Sequence, residues 1–256
     1  MVEAGPRHDP SQGVRRLRYT IAMLKTLSLD AGGVLVRPNW ARVARVCETH
    51  GFPVELQALD RNELDVMCEL DDPRQIGSTN DDDRVSVFFH RVLERSAGSG
   101  DPRQRSVAVA ELKRIHDAEN LWESIPEDVL PALQRLRASG LRLVVLSNAN
   151  GTVRTKLERL GMLDWFEHVV DSGEEGIEKP DPRFFEIALR RACASPETTL
   201  HVGDLYHVDI VGARAAGISA VLIDRGGLQP DRGCPTFADL GQLATALERG
   251  VLQRPS

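Results

Sequence analysis

What the sequence lacks narrows its function before any motif is considered. Only 4 of its 256 residues are cysteines. Cys47, Cys68, Cys193 and Cys234 lie far apart with no C-x-x-C pair, which suggests neither a zinc site nor a disulfide framework. Buried reduced thiols are expected instead. Excess positive charge is also missing: 32 basic residues against 38 acidic ones leave a net charge of -6. Nucleic acid and anionic membrane surfaces therefore have no electrostatic claim as main partners, and a small molecule is the default. No apolar run approaches the roughly 18 residues of a membrane span. Near the start, the apolar stretch in "RRLRYTIAMLKT" is cut short by Lys25, too early for a secretory signal. A cytoplasmic location is expected.

What is present suits a globular protein. With 41% apolar residues in 256, the chain can build one generous domain or a domain carrying an insertion. Residues 1–22 mix Gly, Pro, His and Arg without periodicity and are expected to form a frayed extension, with Met23 an alternative translation start. A short strand follows from Lys25 to Leu29, after which the pattern turns helical. Trp40, Val43 and Cys47 mark a helix ending at Gly51, and Leu59, Leu64 and Met67 mark another. Val85, Phe88, Phe89 and Val92 repeat at helical spacing, as do Val107 or Ala108, Leu112 and Ile115. The polar segments "DDPRQIGSTNDDDR" and "SAGSGDPRQR" between them predict exposed loops.

Beyond Pro126 helices alternate with apolar strands. "EDVLPALQRLRASG", "TVRTKLERLG", "PRFFEIALRRA" and "DIVGARAAG" read as helices; "LRLVVL", Val169-Val170, "TLHV" and "SAVLID" read as strands. Nearly all-apolar strands alternating with helices imply a parallel sheet covered on both faces. The helical stretch before Pro126 is then an insertion after the first strand.

In an open parallel sheet, chemistry collects outside the carboxyl ends of the strands. Polar residues fall at those ends in four places: Asp30 after the first strand, "SNAN" from Ser147, Lys179 in "IEKPDP", and "GDLYHVD" from Gly203. Each alone reads equally well as turn chemistry or a helix entry. Their order along the chain is what gives them weight.

These motifs resemble, in order, the four of the haloacid dehalogenase superfamily, a large family of mostly magnesium-dependent phosphohydrolases. The resemblance runs from Lys25 to Leu247. It implies an α/β fold: a Rossmann-like three-layer core with a parallel sheet over residues 23–37 and 122–256, and an inserted α-helical cap over 38–121. It implies that Asp30 is the nucleophile, and that Ser147 and the Asn148 backbone amide hold the phosphate. Lys179 would neutralise the nucleophile and phosphoryl charge. Mg²⁺ would be held by Asp30, the Gly32 carbonyl and Asp204, with Asp209 a second carboxylate acting directly or through water. The implied partner is a small phosphorylated metabolite. Arg37, Trp40 and His90 are cap residues that either face substrate or serve as packing. Bottom-up chemistry agrees, since a phosphate dianion approaching a carboxylate needs a divalent cation and a lysine nearby, and Mg²⁺ prefers oxygen ligands.

One position departs from the family pattern. Its phosphatases usually read D-x-D at the first motif, the second Asp protonating the leaving alcohol and then activating water; here that residue is Gly32. General acid-base help is typically worth about 10² to 10⁴ in rate, so three readings stay open. A phosphatase acts on leaving groups that need little protonation, such as acyl phosphates, or borrows an acid from the cap or the substrate. Carbon-halogen or carbon-phosphorus hydrolysis also proceeds without that acid, although the metal-free dehalogenases have no use for Asp204 and Asp209. The phosphonate-cleaving members need a cap lysine, and Lys113 is the only lysine between Val34 and Glu123. A ligand-binding protein that has kept the fold is the third reading.

Overall fold

The computed structural model describes residues 23–76, 81–97 and 100–252; the extension expected over residues 1–22 lies outside the described residues. In chain order the elements are β1 (Thr26–Leu29), β2 (Arg37–Pro38), α1 (Trp40–Thr49), α2 (Leu56–Leu70), α3 (Pro73–Ile76), α4 (Asp81–Ser96) and α5 (Pro102–Glu119). There follow β3 (Trp122–Ser124), α6 (Val129–Ala138), β4 (Arg142–Ser147), α7 (Val153–Arg159), β5 (His168–Asp171), α8 (Ser172–Glu175), α9 (Pro182–Arg191) and β6 (Thr199–Gly203). A π-helical turn (Tyr206–Ile210) runs into α10 (Val211–Ala215), and β7 (Ser219–Ile223), β8 (Thr236–Phe237) and α11 (Leu240–Glu248) complete the order.

Side chains alternate across a strand, and here that alternation sorts the core into two layers. Leu27, Leu29, Leu143, Val145, Leu200, Val202, Val221 and Ile223 meet α6, α7 and α11 on one face. Leu146, Val170, Ala220 and Leu222 meet α9 and α10 on the other. Burying each such side chain is worth about 1.5–3 kcal/mol, so the strands are fixed on both faces. The result is an α/β fold with one parallel sheet of 6 strands in the order β5-β4-β1-β6-β7-β8. β1 lies at its centre, with Leu29 opposite Val145 of β4 and Val202 of β6. After β5 the chain crosses back past β1 to begin β6, so the strand order reverses beside β1, the usual place for a ligand crevice.

Helices α1, α2, α4 and α5 share a separate apolar cluster that includes Trp40, Phe52, Leu59, Phe89 and Leu112. They leave and rejoin the sheet through a two-stranded ribbon in which β2 pairs antiparallel with β3. Trp122 of β3 packs against both this cluster and the core of the sheet.

Three expectations need correction. Cys193 is exposed, and Cys68 only half-buried, whereas Cys47 and Cys234 are buried as expected. The segment from Asp71 is not wholly an exposed loop. The Asp71 carboxylate is buried because it accepts the Tyr206 and His207 amides, each at 2.8 Å, at the start of the π-helical turn, a capping role. The helix expected from Asp209 begins earlier, at Tyr206, with that turn.

Candidate active site

Neighbouring strand ends bring the predicted residues together. The Asp30 amide donates to the Val202 carbonyl at 2.9 Å, extending the β1–β6 ladder by one residue before the chain turns. Its carboxylate accepts the Ala31 amide at 2.8 Å. Lys179, 1% exposed, reaches Asp30 at 2.9 Å and Asp209 at 2.7 Å. Asn148 clamps the segment that carries this lysine: its side-chain amide donates to the Lys179 carbonyl at 2.9 Å and accepts the Lys179 amide at 2.8 Å. Ser147, buried at the end of β4, borders the same cleft.

Glycine makes the crowding possible at two points. Gly33 has φ +69°, and a Cβ there would collide with the Asp204 carboxylate. A Cβ on Gly203 would collide with Asp209. Both acids thus lie against bare backbone, a close approach open only to glycine.

Asp209 is fully enclosed, and its carboxylate also accepts the Leu205 amide at 3.0 Å and lies 3.2 Å from His201 Nε2. His201 Nδ1 in turn lies 3.1 Å from the Ser28 hydroxyl. A buried polar column therefore runs from Ser28 through His201 and Asp209 to Lys179 and Asp30. Sequence reasoning missed His201; its one signal was a polar residue inside the apolar strand "TLHV".

The charges do not balance. Carboxylate oxygens of Asp30, Asp204 and Asp209 all lie within 4.8 Å of one another, and Lys179 is the ammonium paired with two of them. Burial, followed by the nearby Asp30 and Asp209 charges, pushes the Asp204 carboxyl well above its usual range. Burial also raises Asp30, against the pull of Lys179. Asp209 is held low because Lys179 and His201 outweigh its burial. Three carboxylates and one ammonium leave two formal negative charges, and the carboxylates offer hard oxygen donors of the kind suited to Mg²⁺.

Above the strand ends lies an open cleft of about 120 Å³. Its core side includes Asp30, Gly32, Ser147, Asn148, Lys179 and Asp204; Arg84, His116 and Trp122 close the opposite side. Arg37, Trp40 and His90 do not border it. Arg37 and Trp40 are instead tied to Glu63, at 2.5 Å and 2.7 Å. Lys113 does not border the cleft either and pairs with Asp117 at 2.5 Å.

Comparison with known proteins agrees with this geometry. The family model described as haloacid dehalogenase-like hydrolase matches residues 24–217. Glyceraldehyde 3-phosphate phosphatase of Methanopyrus kandleri is 36% identical over 142 residues, 55% of this chain and 60% of its own length. Phosphoserine phosphatase of Thermus thermophilus is 38% identical over 144 residues, 56% of this chain and 55% of its own. The chain thus spans a little over half the length of these two curated relatives. A HAD-hydrolase of Bacillus subtilis solved with magnesium aligns with a TM-score of 0.66 at 17% identity, covering 88% of this chain and 98% of its own, and so shares the fold.

Proposed function

Because the chain belongs to the haloacid dehalogenase-like hydrolases, we propose that it is a magnesium-dependent phosphohydrolase that cleaves a small phosphorylated metabolite through Asp30. The observation that carries this reading is the buried Asp30 carboxylate, paired with Lys179 at 2.9 Å and crowded by Asp204. The helices of residues 38–121 act as a cap over the core of residues 23–37 and 122–256.

An Asp30 oxygen attacks phosphorus, the bond to the leaving oxygen breaks, and an aspartyl phosphate forms. Water then attacks phosphorus, the bond to Asp30 breaks, and inorganic phosphate leaves. Ser147 and the Asn148 backbone amide hold the phosphoryl oxygens. Lys179 neutralises charge on the nucleophile and the phosphoryl group, and its ties to Asp209 and the Asn148 clamp keep it in place. Asp30, Asp204 and the Gly32 carbonyl are the groups that would hold Mg²⁺, with Asp209 adding charge behind them. When bound, the ion supplies the positive charge that lets a phosphate dianion approach a carboxylate. A carboxylate surplus of this kind argues against metal-free carbon-halogen chemistry.

Mg²⁺ is expected to stabilise the protein as well as activate it. At a concentration about 100 times its Kd the gain is about 2.7 kcal/mol, or roughly 5–10 °C in Tm for a chain of this size. Chelator should stop phosphate release, and Asp204→Asn should erase the Mg²⁺-dependent shift in the thermal melt. Full phosphate release in excess chelator would overturn the metal-dependent reading.

A further inference from the structure

The side-chain position that would hold a second acid belongs to Gly32, and the Trp122 indole stands over it. Gly32 is not among the positive-φ glycines. A Cβ built on it would point at the indole edge, meeting both Cδ1 and Nε1 at 3.5 Å. That edge is held in place. The ring packs against Phe88, Phe89 and His116 at centroid distances of 5.3, 5.8 and 5.2 Å. The Trp122 amide donates to Asn120 Oδ1 at 3.0 Å, and β3 is anchored by its pairing with β2. The indole borders the same cleft as Asp30, and its N–H finds no acceptor among the described residues.

An indole N–H donates a hydrogen bond but does not surrender its proton. Beside the nucleophile it eases charge developing on a leaving oxygen without protonating it. His116, the imidazole bordering the cleft, accepts the Leu121 amide at Nδ1, at 3.3 Å. That bond orients the ring through Nδ1.

We propose that Trp122 is a specificity-determining residue: its indole N–H takes the place of the absent acid and restricts efficient turnover to phosphoryl groups carried on oxygens that leave as stable anions, the acyl phosphates. This rests on the phosphohydrolase reading. In the first step Asp30 bonds to phosphorus while the bond to the acyl oxygen breaks. The electron pair stays on that oxygen, the product leaves as a carboxylate, and no proton is required. In the second step water bonds to phosphorus, the Asp30 oxygen departs as a carboxylate, and the water protons pass to phosphate and solvent. Substrate and intermediate are both acyl phosphates, so neither step expels an alkoxide.

The test is kcat and KM of the full chain with saturating Mg²⁺ on acetyl phosphate, aryl phosphates of graded leaving-group pKa, and glycerol phosphate. Acetyl phosphate should exceed glycerol phosphate in kcat/KM by about 10²-fold or more, the lower end of what an acid supplies, with a steep fall along the aryl series. Gly32→Asp should narrow that ratio about tenfold. Trp122→Phe keeps the ring and removes the N–H; it should lower kcat on the aryl phosphates about threefold to tenfold, the value of one neutral hydrogen bond, with KM and Tm little changed. Turnover of glycerol phosphate as fast as acetyl phosphate would overturn the proposal without a variant. So would unchanged kcat across the series in a folded Trp122→Phe protein. No phosphate from any substrate, acetyl phosphate included, would instead defeat the phosphohydrolase reading and this inference with it.

Discussion

Replacing Asp30 with asparagine is expected to abolish phosphate release and leave the protein folded. The amide oxygen of asparagine can still accept the Ala31 amide now bonded at 2.8 Å, so the turn after β1 keeps its anchor. Lys179 loses one partner but retains Asp209 at 2.7 Å. Removing one charge from three crowded carboxylates relieves repulsion, so Tm should hold or rise slightly. Turnover should nevertheless fall by on the order of 10⁴ or more, as when an enzyme loses the atom that attacks. The measurement is phosphate release on acetyl phosphate beside a thermal melt of the same sample. A folded variant that retains turnover would remove Asp30 from the chemistry.

Lys179→Met carries the second large effect, and it strikes stability and rate together. Methionine preserves much of the side-chain volume but leaves Asp30 and Asp209 without their shared cation. Breaking a buried pair in this way costs about 3–5 kcal/mol, or roughly 6–20 °C in Tm at about 2–4 °C per kcal/mol. Phosphate release should fall by about 10² to 10³, the usual consequence of losing one preorganised electrostatic contact. Differential scanning calorimetry with Mg²⁺ present reads the first effect, and a Tm within about 2 °C of the parent would contradict a stabilising role for the Lys179 pairing. The pH window follows from the two shifts. Asp209 is held below its ordinary 3.8, so its contribution is present above that value and is lost as pH falls further. Lys179 is held above its ordinary 10.5, so its contribution is present below that value and is lost on strong alkalinisation. Near neutral pH both are in force.

The strand-end residues were legible because each lies where an apolar run stops. Leu29, Leu146 and Val202 are buried by the sheet, and the next polar residues emerge at its carboxyl edge whatever the details of the helices. Asp30, Ser147 and Asp204 follow from the parallel order, whereas Lys179, beyond α8, and Asp209, inside the turn Tyr206–Ile210, joined them through the order of the motifs along the chain. Contacts between distant segments were not legible. Asp71 looks like loop chemistry until Tyr206 and His207 arrive to be capped. Trp122 looks like an apolar residue near a domain boundary; only β2–β3 pairing lays its indole over Gly32. For Arg37 and Trp40 the sequence left substrate contact and packing both open, and a distant partner decides between them: Glu63 holds both inside the helical layer.

The same geometry bears on the second half of the reaction. With no carboxylate at residue 32 to activate water, hydrolysis of the aspartyl phosphate should be slower than its formation, so the covalent form accumulates. Rapid acid quench of the enzyme turning over acetyl phosphate, followed by peptide mass spectrometry, therefore tests covalent transfer through Asp30 most directly. A phosphoryl adduct on Asp30, released by hydroxylamine and absent in Asp30→Asn, is expected. Phosphate release with Asp30 unlabelled at every quench time, or an adduct on another residue, would contradict it.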